Sequence, residues 1–409
     1  MDINLYLFPL CLWAGYQEMG GELVKKISPE KGYLLVSSLG AWMTHLMGPY
    51  LTIWLRSLGI SFAQIGFFQS VSSFLTFITD FPTGGLADRY GRRLNYAVGI
   101  LLFGVSLIII ACSSSFFIIA LAFALAGIGS AFMSGTLTPW LYDTIKGDKK
   151  RAHMVFSRMR IINGILGTVA GFVAGTISRY ALNLPILLAG ICGISASLLA
   201  LLFLEENYGH GKAKPYGEIL KDGLKHIARE RTLHYLLVAS FFLSFAGRSF
   251  FMFWMVLAKE AGLRESSIGY VYPLLILSTS FGGFVSLRLS RFMDHRKILA
   301  ITTPLMGLLI IAMGIVKGLL SLLALITLFE IIIAIRAPAM ITFRNELIPS
   351  PIRSTVTSAL STIGGMFSML ANIAVGLIAD IFGLGGAYVV SGILALFASL
   401  FLMMAIKHS

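Results

Sequence analysis

The chain has 409 residues, of which 57% are hydrophobic and only 12% are charged, and its formal net charge is +13. About a quarter of the residues in soluble proteins are charged, so this composition excludes an ordinary soluble domain. The charges stand between apolar runs and not in one basic patch, which favours a membrane protein over a nucleic-acid-binding protein. We therefore expect the lipid bilayer as a partner and no nucleic acid.

The first 32 residues form a separate N-terminal segment. Residues 5–16 are apolar but too few to cross a bilayer, and Asp2 replaces the basic region of a signal peptide. Two interpretations stay open: an interfacial helix, or a gene start that is set too early. In the second, the codons of residues 20–22 belong to a ribosome-binding sequence, and Leu23 or Val24 is the true initiator.

Twelve apolar runs follow, each near the length of about 20 residues that a helix needs to cross about 30 Å of hydrocarbon. The polar stretch 205–235 divides them into six and six. This predicts an N-terminal bundle over 33–204, a linker over 205–235 and a C-terminal bundle over 236–409. The predicted spans are residues 33–57, 63–86, 94–112, 116–140, 161–180, 185–204, 236–258, 268–288, 298–316, 320–341, 355–378 and 386–406.

Lys and Arg residues alternate between the loops of the two membrane sides. Of the 32, twenty-five fall on one side and five on the other, while Arg248 and Arg336 lie inside spans. Cytoplasmic loops carry such an excess of Lys and Arg. We therefore predict a multi-pass protein of the cytoplasmic membrane with both termini cytoplasmic.

The two halves of the chain echo each other at an offset of about two hundred residues. An acidic residue, an arginine and a serine follow the fourth and the tenth predicted spans in the same order, namely Asp143, Arg151 and Ser157, and Glu346, Arg353 and Ser358. Duplicated halves are common in transporters and place the substrate site between them.

The loop after the second span reads Gly-Gly-Leu-Ala-Asp-Arg-Tyr-Gly-Arg-Arg at residues 84–93. It resembles the signature loop of the major facilitator superfamily, which joins helices 2 and 3 on the cytoplasmic face, and it matches at almost every fixed position. The resemblance covers the chain from about Gly32 onward and is closest to prokaryotic multidrug and small-molecule efflux permeases. It implies an all-α membrane protein with twelve transmembrane helices in two pseudo-symmetric six-helix bundles around a central cavity.

The same resemblance implies a charged cytoplasmic gate. An acidic residue at the end of helix 4 often pairs with the signature-loop arginines in this superfamily, and Asp143 occupies that place. Glu346 and Arg353 look like the matching cluster of the second half, and Asp80 is assigned to the gate as well. The signature loop supplies the remaining gate residues, Gly84, Asp88, Arg89, Gly91, Arg92 and Arg93. The alternative interpretation is that these are solvated interfacial charges.

Two signatures of the superfamily's drug–proton antiporters are missing. Phe123 stands where their helix 4 carries an arginine before a glycine-rich run, and the fifth span has no proline. Its glycines recur every four residues, at 167, 171 and 175, and such spacing permits close helix packing. Antiport is therefore left open without support from these signatures.

Few ionisable residues fall inside the predicted spans, where they are costly and usually functional. His45, Glu330 and Arg248 lie near the midplane of helices that line the cavity in the resembled family, and Arg336 lies nearer the cytoplasm. Glu330 and Arg248 form either a pair that breaks on proton or substrate binding or a permanent salt bridge. Arg336 either binds an anion or snorkels to headgroups, and His45 is either titratable or a satisfied buried histidine.

The primary hypothesis is a monomeric transporter that exports a lipophilic or amphipathic small molecule in exchange for protons, with Glu330 as the coupling acid amid aromatic residues. The alternative is uptake or export of a polar metabolite or organic anion, anchored by Arg248 and Arg336. A receptor or sensor without transport is the alternative of another class. No phosphate loop, metal-ligand cluster or nucleophile–base set stands out, so we expect no enzyme, no cofactor and no metal.

Overall fold

The computed structural model describes residues 27–208, 216–348 and 353–409. Most of the predicted N-terminal segment and residues 209–215 of the predicted linker lie outside these ranges. The side chains of Gly84, Asp88, Arg89 and Arg353 also lie outside the described residues.

The described elements are helices. They are α1 (Pro29–Met47), α2 (Leu51–Ser57), α3 (Phe62–Tyr90), α4 (Arg92–Cys112), α5 (Phe116–Met133), α6 (Leu137–Thr144), α7 (Lys149–Ile177), α8 (Leu184–Phe203), α9 (Tyr216–Arg229), α10 (Arg231–Glu260), a 3₁₀ turn (Glu265–Ser267), α11 (Ile268–Leu289), α12 (His295–Ile315), α13 (Leu319–Glu346) and α14 (Arg353–His408).

Ten helices in the described ranges are long and apolar enough to cross a membrane. The 56 residues of α14 would extend about 84 Å at about 1.5 Å per residue, more than twice the hydrocarbon thickness. Gly383 breaks this element with φ 74° and ψ 170°, in the gap predicted between the last two spans. The all-helical membrane fold is confirmed, while the count of twelve spans and the side of the termini stay predictions.

Each half of the chain packs its helices at glycines in the same way. A Cβ on Gly104 in α4 would lie 2.8 Å from the carbonyl oxygen of Gly190 in α8, and a Cβ on Gly307 in α12 would lie 2.9 Å from that of Gly392 in α14. Only glycine allows backbones to approach so closely. The second crossing repeats the first about two hundred residues later, as the internal echo of the sequence predicts.

The halves meet mainly along two pairs of helices, α3 with α14 and α7 with α11. We call the helix ends that carry Arg92 and Arg296 the basic face, and those that carry Glu265 and Asp380 the far face. Hydrogen bonds between the halves cluster toward the far face. Examples are Tyr50 Oη, which accepts from the amide of Gly269 at 3.0 Å, and the Asp380 carboxylate, which accepts from α3.

Candidate functional site

A cavity of about 580 Å³ lies between the two halves, lined by α1 to α5, α10 and α14. Hydroxyl groups dominate its polar lining. They belong to Ser72, Ser73, Thr76, Ser130, Ser134, Ser358, Ser361, Thr362 and Ser368. A hydroxyl group can both donate and accept a hydrogen bond, so this surface suits a solute with several polar atoms.

Arg248 and Asp80 are the charged residues on the described lining of the cavity. Arg248 lies in the middle of α10, whereas Asp80 lies toward the basic-face end of α3. The sequence assigned Asp80 to the gate, and the structure places it on the cavity wall. The cavity therefore presents one cation at mid-depth and one carboxylate nearer the basic face.

The apolar side chains of the cavity wall come from the N-terminal half. They are Met47, Leu51, Phe77, Phe103, Leu107, Ile110, Phe123 and Ala126. Gln69 and Gly365 complete the lining. Phe123 thus contributes ring surface at the position where the resembled antiporters carry an arginine. Two aromatic residues of α10 pack against other aromatic rings and do not line the cavity. Phe250 packs on Phe329 at 4.5 Å between ring centroids, and Phe253 packs on Phe62 at 5.0 Å. The cavity is amphipathic because hydroxyl and apolar walls share it.

Glu330 lies in α13 and accepts a hydrogen bond from the Thr279 hydroxyl of α11 at 3.1 Å. Among the described residues, no ion pair joins Glu330 to Arg248. Glu330 is also absent from the lining of the described cavity. The structure therefore places the two midplane charges apart, the cation on the cavity and the acid within the C-terminal half.

His45 joins the two halves near the middle of the molecule. Its Nδ1 lies 3.0 Å from the Tyr272 hydroxyl of α11, and its Nε2 lies 3.0 Å from Asn163 Oδ1 of α7. Both ring nitrogens are thus hydrogen-bonded.

Arg336 lies within the C-terminal half and not on the described cavity lining. Its Nε donates to the Thr303 hydroxyl of α12 at 3.1 Å, which ties α13 to α12. The two roles that the sequence left open for Arg336, anion binding and snorkelling to headgroups, stay predictions.

The basic face carries an ion pair at the signature loop. Arg92, at the start of α4, contacts the carboxylate of Asp143 at the end of α6. This is the pairing that the resemblance implies. Arg92 and Asp143 connect the signature loop to the end of the fourth predicted span.

Glu206 binds the same end of the signature loop as Asp143, and the sequence analysis did not select it. Its carboxylate accepts from the amide of Arg93 at 2.8 Å and from that of Leu94 at 3.2 Å, and so caps α4. Gly91 precedes this cap with φ 104°, and a Cβ there would overlap the Glu206 carboxyl group. The glycine of the loop is therefore required by both its backbone angle and the space.

The second half has a matching cluster. Glu346, at the end of α13, lies 3.0 Å from His295 Nε2 and 3.5 Å from the Arg296 guanidinium at the start of α12. This arrangement repeats that of Asp143 and Arg92 in the first half. The predicted partner Arg353 starts α14, and its side chain lies outside the described residues.

Comparisons with known proteins agree with this geometry. A family model described as Major Facilitator Superfamily matches residues 33–335. The chain belongs to this superfamily. The resemblance found at the signature loop is thereby confirmed.

Two relatives within the superfamily are similar in sequence. An uncharacterised MFS-type transporter of Bacillus subtilis, YxaM, is 24% identical over 384 residues, which cover 88% of this chain and 92% of YxaM. The quinolone resistance protein NorA of Staphylococcus aureus is 26% identical over 164 residues, 39% of this chain and 41% of NorA. The first match spans nearly the whole protein and the second less than half.

Solved structures of transporters share the fold at low sequence identity. The nucleoside transporter NupG matches with a TM-score of 0.80 at 13% identity, covering 93% of this chain and all of NupG. A bacterial homologue of the human lysosomal transporter Spinster, in an inward-facing and occupied conformation, matches with a TM-score of 0.71 at 15% identity. It covers 93% of this chain and 96% of that homologue. As a superfamily member, the chain is a multi-pass membrane transporter for a small-molecule substrate.

The hydroxyl wall is the part of the site that sequence reasoning missed, although a signal for it exists. Ser358, Ser361, Thr362 and Ser368 follow one another at helical spacing along α14. Residues three, four and seven apart lie on one helix face. A polar stripe of this kind inside an apolar span indicates a face that points away from lipid.

Proposed function

We propose that this superfamily member is a secondary active transporter of the cytoplasmic membrane that exports a small amphipathic molecule with an acidic group in exchange for protons. It crosses the membrane twelve times, and its basic face and termini are cytoplasmic. The observation that carries the substrate class is the cavity, which combines an apolar wall, a hydroxyl wall and the Arg248 guanidinium.

Arg248 provides the anchor for an acidic group. A guanidinium within a membrane protein is costly unless it is paired, and Arg248 has no acidic partner among the described residues. Carboxylates and phosphates fit its planar fork with two parallel hydrogen bonds. An acidic substrate would therefore complete this site.

The two walls of the cavity fit the rest of the substrate. Phe103 and Phe123 contribute apolar surface to the cavity, and Ser72 and Ser361 contribute hydroxyl groups. A volume of about 580 Å³ lies within the range of about 300–1,000 Å³ that is usual for small-molecule sites. A ring system with polar substituents on one edge satisfies both walls.

Glu330 is the proton carrier in this proposal. It lies near the middle of α13, where a carboxylate is costly, and its hydrogen bond from Thr279 connects α13 to α11. Protonation removes the charge and changes this link between helices. Glu330 is off the described cavity, so it acts on the substrate through helix position and not by contact.

Flux into proteoliposomes that contain a pH-sensitive dye tests the proposal. Aromatic carboxylates should be transported with saturation and with opposite proton movement. Arg248→Gln should raise their KM about ten- to hundredfold, since hydrogen bonds to charged groups contribute about 1.5–3 kcal/mol. The exposed Arg158→Gln variant is the control and should behave as wild type. If lipophilic cations are transported as fast as aromatic carboxylates, and Arg248→Gln changes neither rate, the anion site is rejected.

A second candidate is transport of a polar metabolite or a hydrophilic organic anion, which the nine hydroxyl groups on the lining favour. The apolar wall separates the two candidates. Phe123→Ser should weaken transport of an amphipathic substrate, because it removes ring contact, and should leave a fully polar substrate unaffected. In the same vesicles, hydrophilic carboxylates should compete with the aromatic carboxylate for transport only if the second candidate is correct.

A further inference from the structure

The far-face end of α3 is held by a carboxylate from the other half of the protein. Asp380 Oδ1 accepts from the backbone amide of Phe62 at 2.9 Å, and Asp380 Oδ2 accepts from that of Ala63 at 2.8 Å. Ser61 and Gln64 form a capping box at the same helix end. Together these groups satisfy the amides of the first three residues of α3.

This contact is electrostatically favourable for two reasons. The first amides of a helix have no partner within the helix, and the aligned peptide dipoles make that end positive. A carboxylate that accepts from such amides forms charge-assisted hydrogen bonds. Asp380 and Phe62 belong to opposite halves, so these bonds exist only while the halves touch at the far face.

The backbones of α3 and α14 approach each other closely around this contact. Gly376 lies against the carbonyl of Phe62, and Gly66 lies against the carbonyl of Asn372, with no room for a Cβ at either glycine. Ser70 donates to the carbonyl of Met369 at 2.8 Å further along the same pair of helices. A larger side chain at Gly376 would force the two helices apart.

Asn372 belongs to the same stretch of α14, where its backbone carbonyl lies against Gly66. Its side-chain amide is fully buried and has no hydrogen-bond partner among the described residues.

A short stretch of the signature loop is similar to the sequence that ends in Asp380. Residues 376–380 read Gly-Leu-Ile-Ala-Asp, and residues 85–88 of the signature loop read Gly-Leu-Ala-Asp. The first stretch lies at the far face, just before Gly383 interrupts α14, while the second lies toward the basic-face end of α3.

We propose that Asp380 is a positioning residue that latches the far face shut by binding the exposed amides of α3, and that its release opens the cavity to that face. The inference rests on alternating access in the proposed function. The control variant for it is Glu265→Ala, since Glu265 is an acidic residue on the same face whose ion pair with Lys259 stays within one half.

Double electron–electron resonance, which measures the distance between two spin labels, tests the latch without any substrate. Spin labels are placed on exposed loops of the two halves at the far face, at Ser114 and Lys317, in a background with the native cysteines replaced. Asp380→Ala should raise the ratio of far-face-open to far-face-closed molecules about tenfold or more, as expected for the loss of charge-assisted bonds. Asp380→Asn should give a smaller rise, and Asp380→Glu should restore the closed population. Glu265→Ala should match wild type.

Gly376→Val is the positive control, because it separates α3 from α14 sterically and should open the far face. If Asp380→Ala does not fold, the Asn and Glu variants carry the test. Wild-type distances in every folded Asp380 variant, alongside an open Gly376→Val, would overturn the latch. If the Asp380 variants shift the spin-label distances as expected while the protein transports no acidic substrate, the latch is supported and the proposed substrate class is rejected.

Discussion

Replacing Gly91 with alanine tests the described geometry of the signature loop. At φ 104° an L-residue is strained, which costs about 1–2 kcal/mol. The new Cβ would also displace the Glu206 carboxyl group, and losing a helix cap costs about 0.5–2 kcal/mol. We expect Gly91→Ala to lower the free energy of unfolding by about 1.5–4 kcal/mol.

Gly262→Ala is the matched control for Gly91→Ala. Gly262 has φ 101°, and a Cβ there would meet no atom within 4 Å, so only the backbone strain remains. Circular dichroism monitors the unfolding of both variants in detergent and gives the difference between their free energies of unfolding. Glu206→Ala should make Gly91→Ala less costly than in the wild-type background, because the two changes remove the same cap. Equal losses in Gly91→Ala and Gly262→Ala, or strict additivity with Glu206→Ala, would refute the packing described here.

Three further predictions concern charge and the contact between the halves. Glu330→Gln should abolish proton movement that accompanies transport, measured with the vesicle dye, and unchanged coupling would reject its role. Tyr272→Phe removes the hydrogen bond to His45 and should lower the free energy of unfolding by about 0.6–1 kcal/mol, measured by thermal denaturation in detergent. The Arg151 guanidinium lowers the pKa of Glu30, so their pair stabilises the fold above the ordinary value of 4.5 and loses this contribution as pH falls through the lowered pKa. Glu30→Gln should remove that part of the pH dependence of thermal stability.

The sequence predicted the fold class and much of the basic face for physical reasons. Runs of about 20 apolar residues have few alternatives to a membrane helix, and the loop at 84–93 has a specific pattern of glycines and charges. Gly383 also falls in the gap predicted between the last two spans. Asp143, at the end of α6, pairs with Arg92 as the family resemblance implies.

The interior of the site was harder to predict, because residue spacing gives the depth of a side chain but not the direction in which its helix face points. Glu330 and Arg248 have similar predicted depths, yet the structure places only Arg248 on the cavity. Glu206 caps α4 from another loop, and Asp380 caps α3 from the other half. Such contacts depend on tertiary packing between segments that are distant in the chain.

Flux of an aromatic carboxylate into proteoliposomes under an imposed pH gradient, with wild type and Arg248→Gln compared at equal protein content, tests the proposed transport most directly. We expect saturable flux coupled to proton movement in wild type and a KM raised about ten- to hundredfold in the variant. No carboxylate flux in wild type, or the same KM in both proteins, would contradict it.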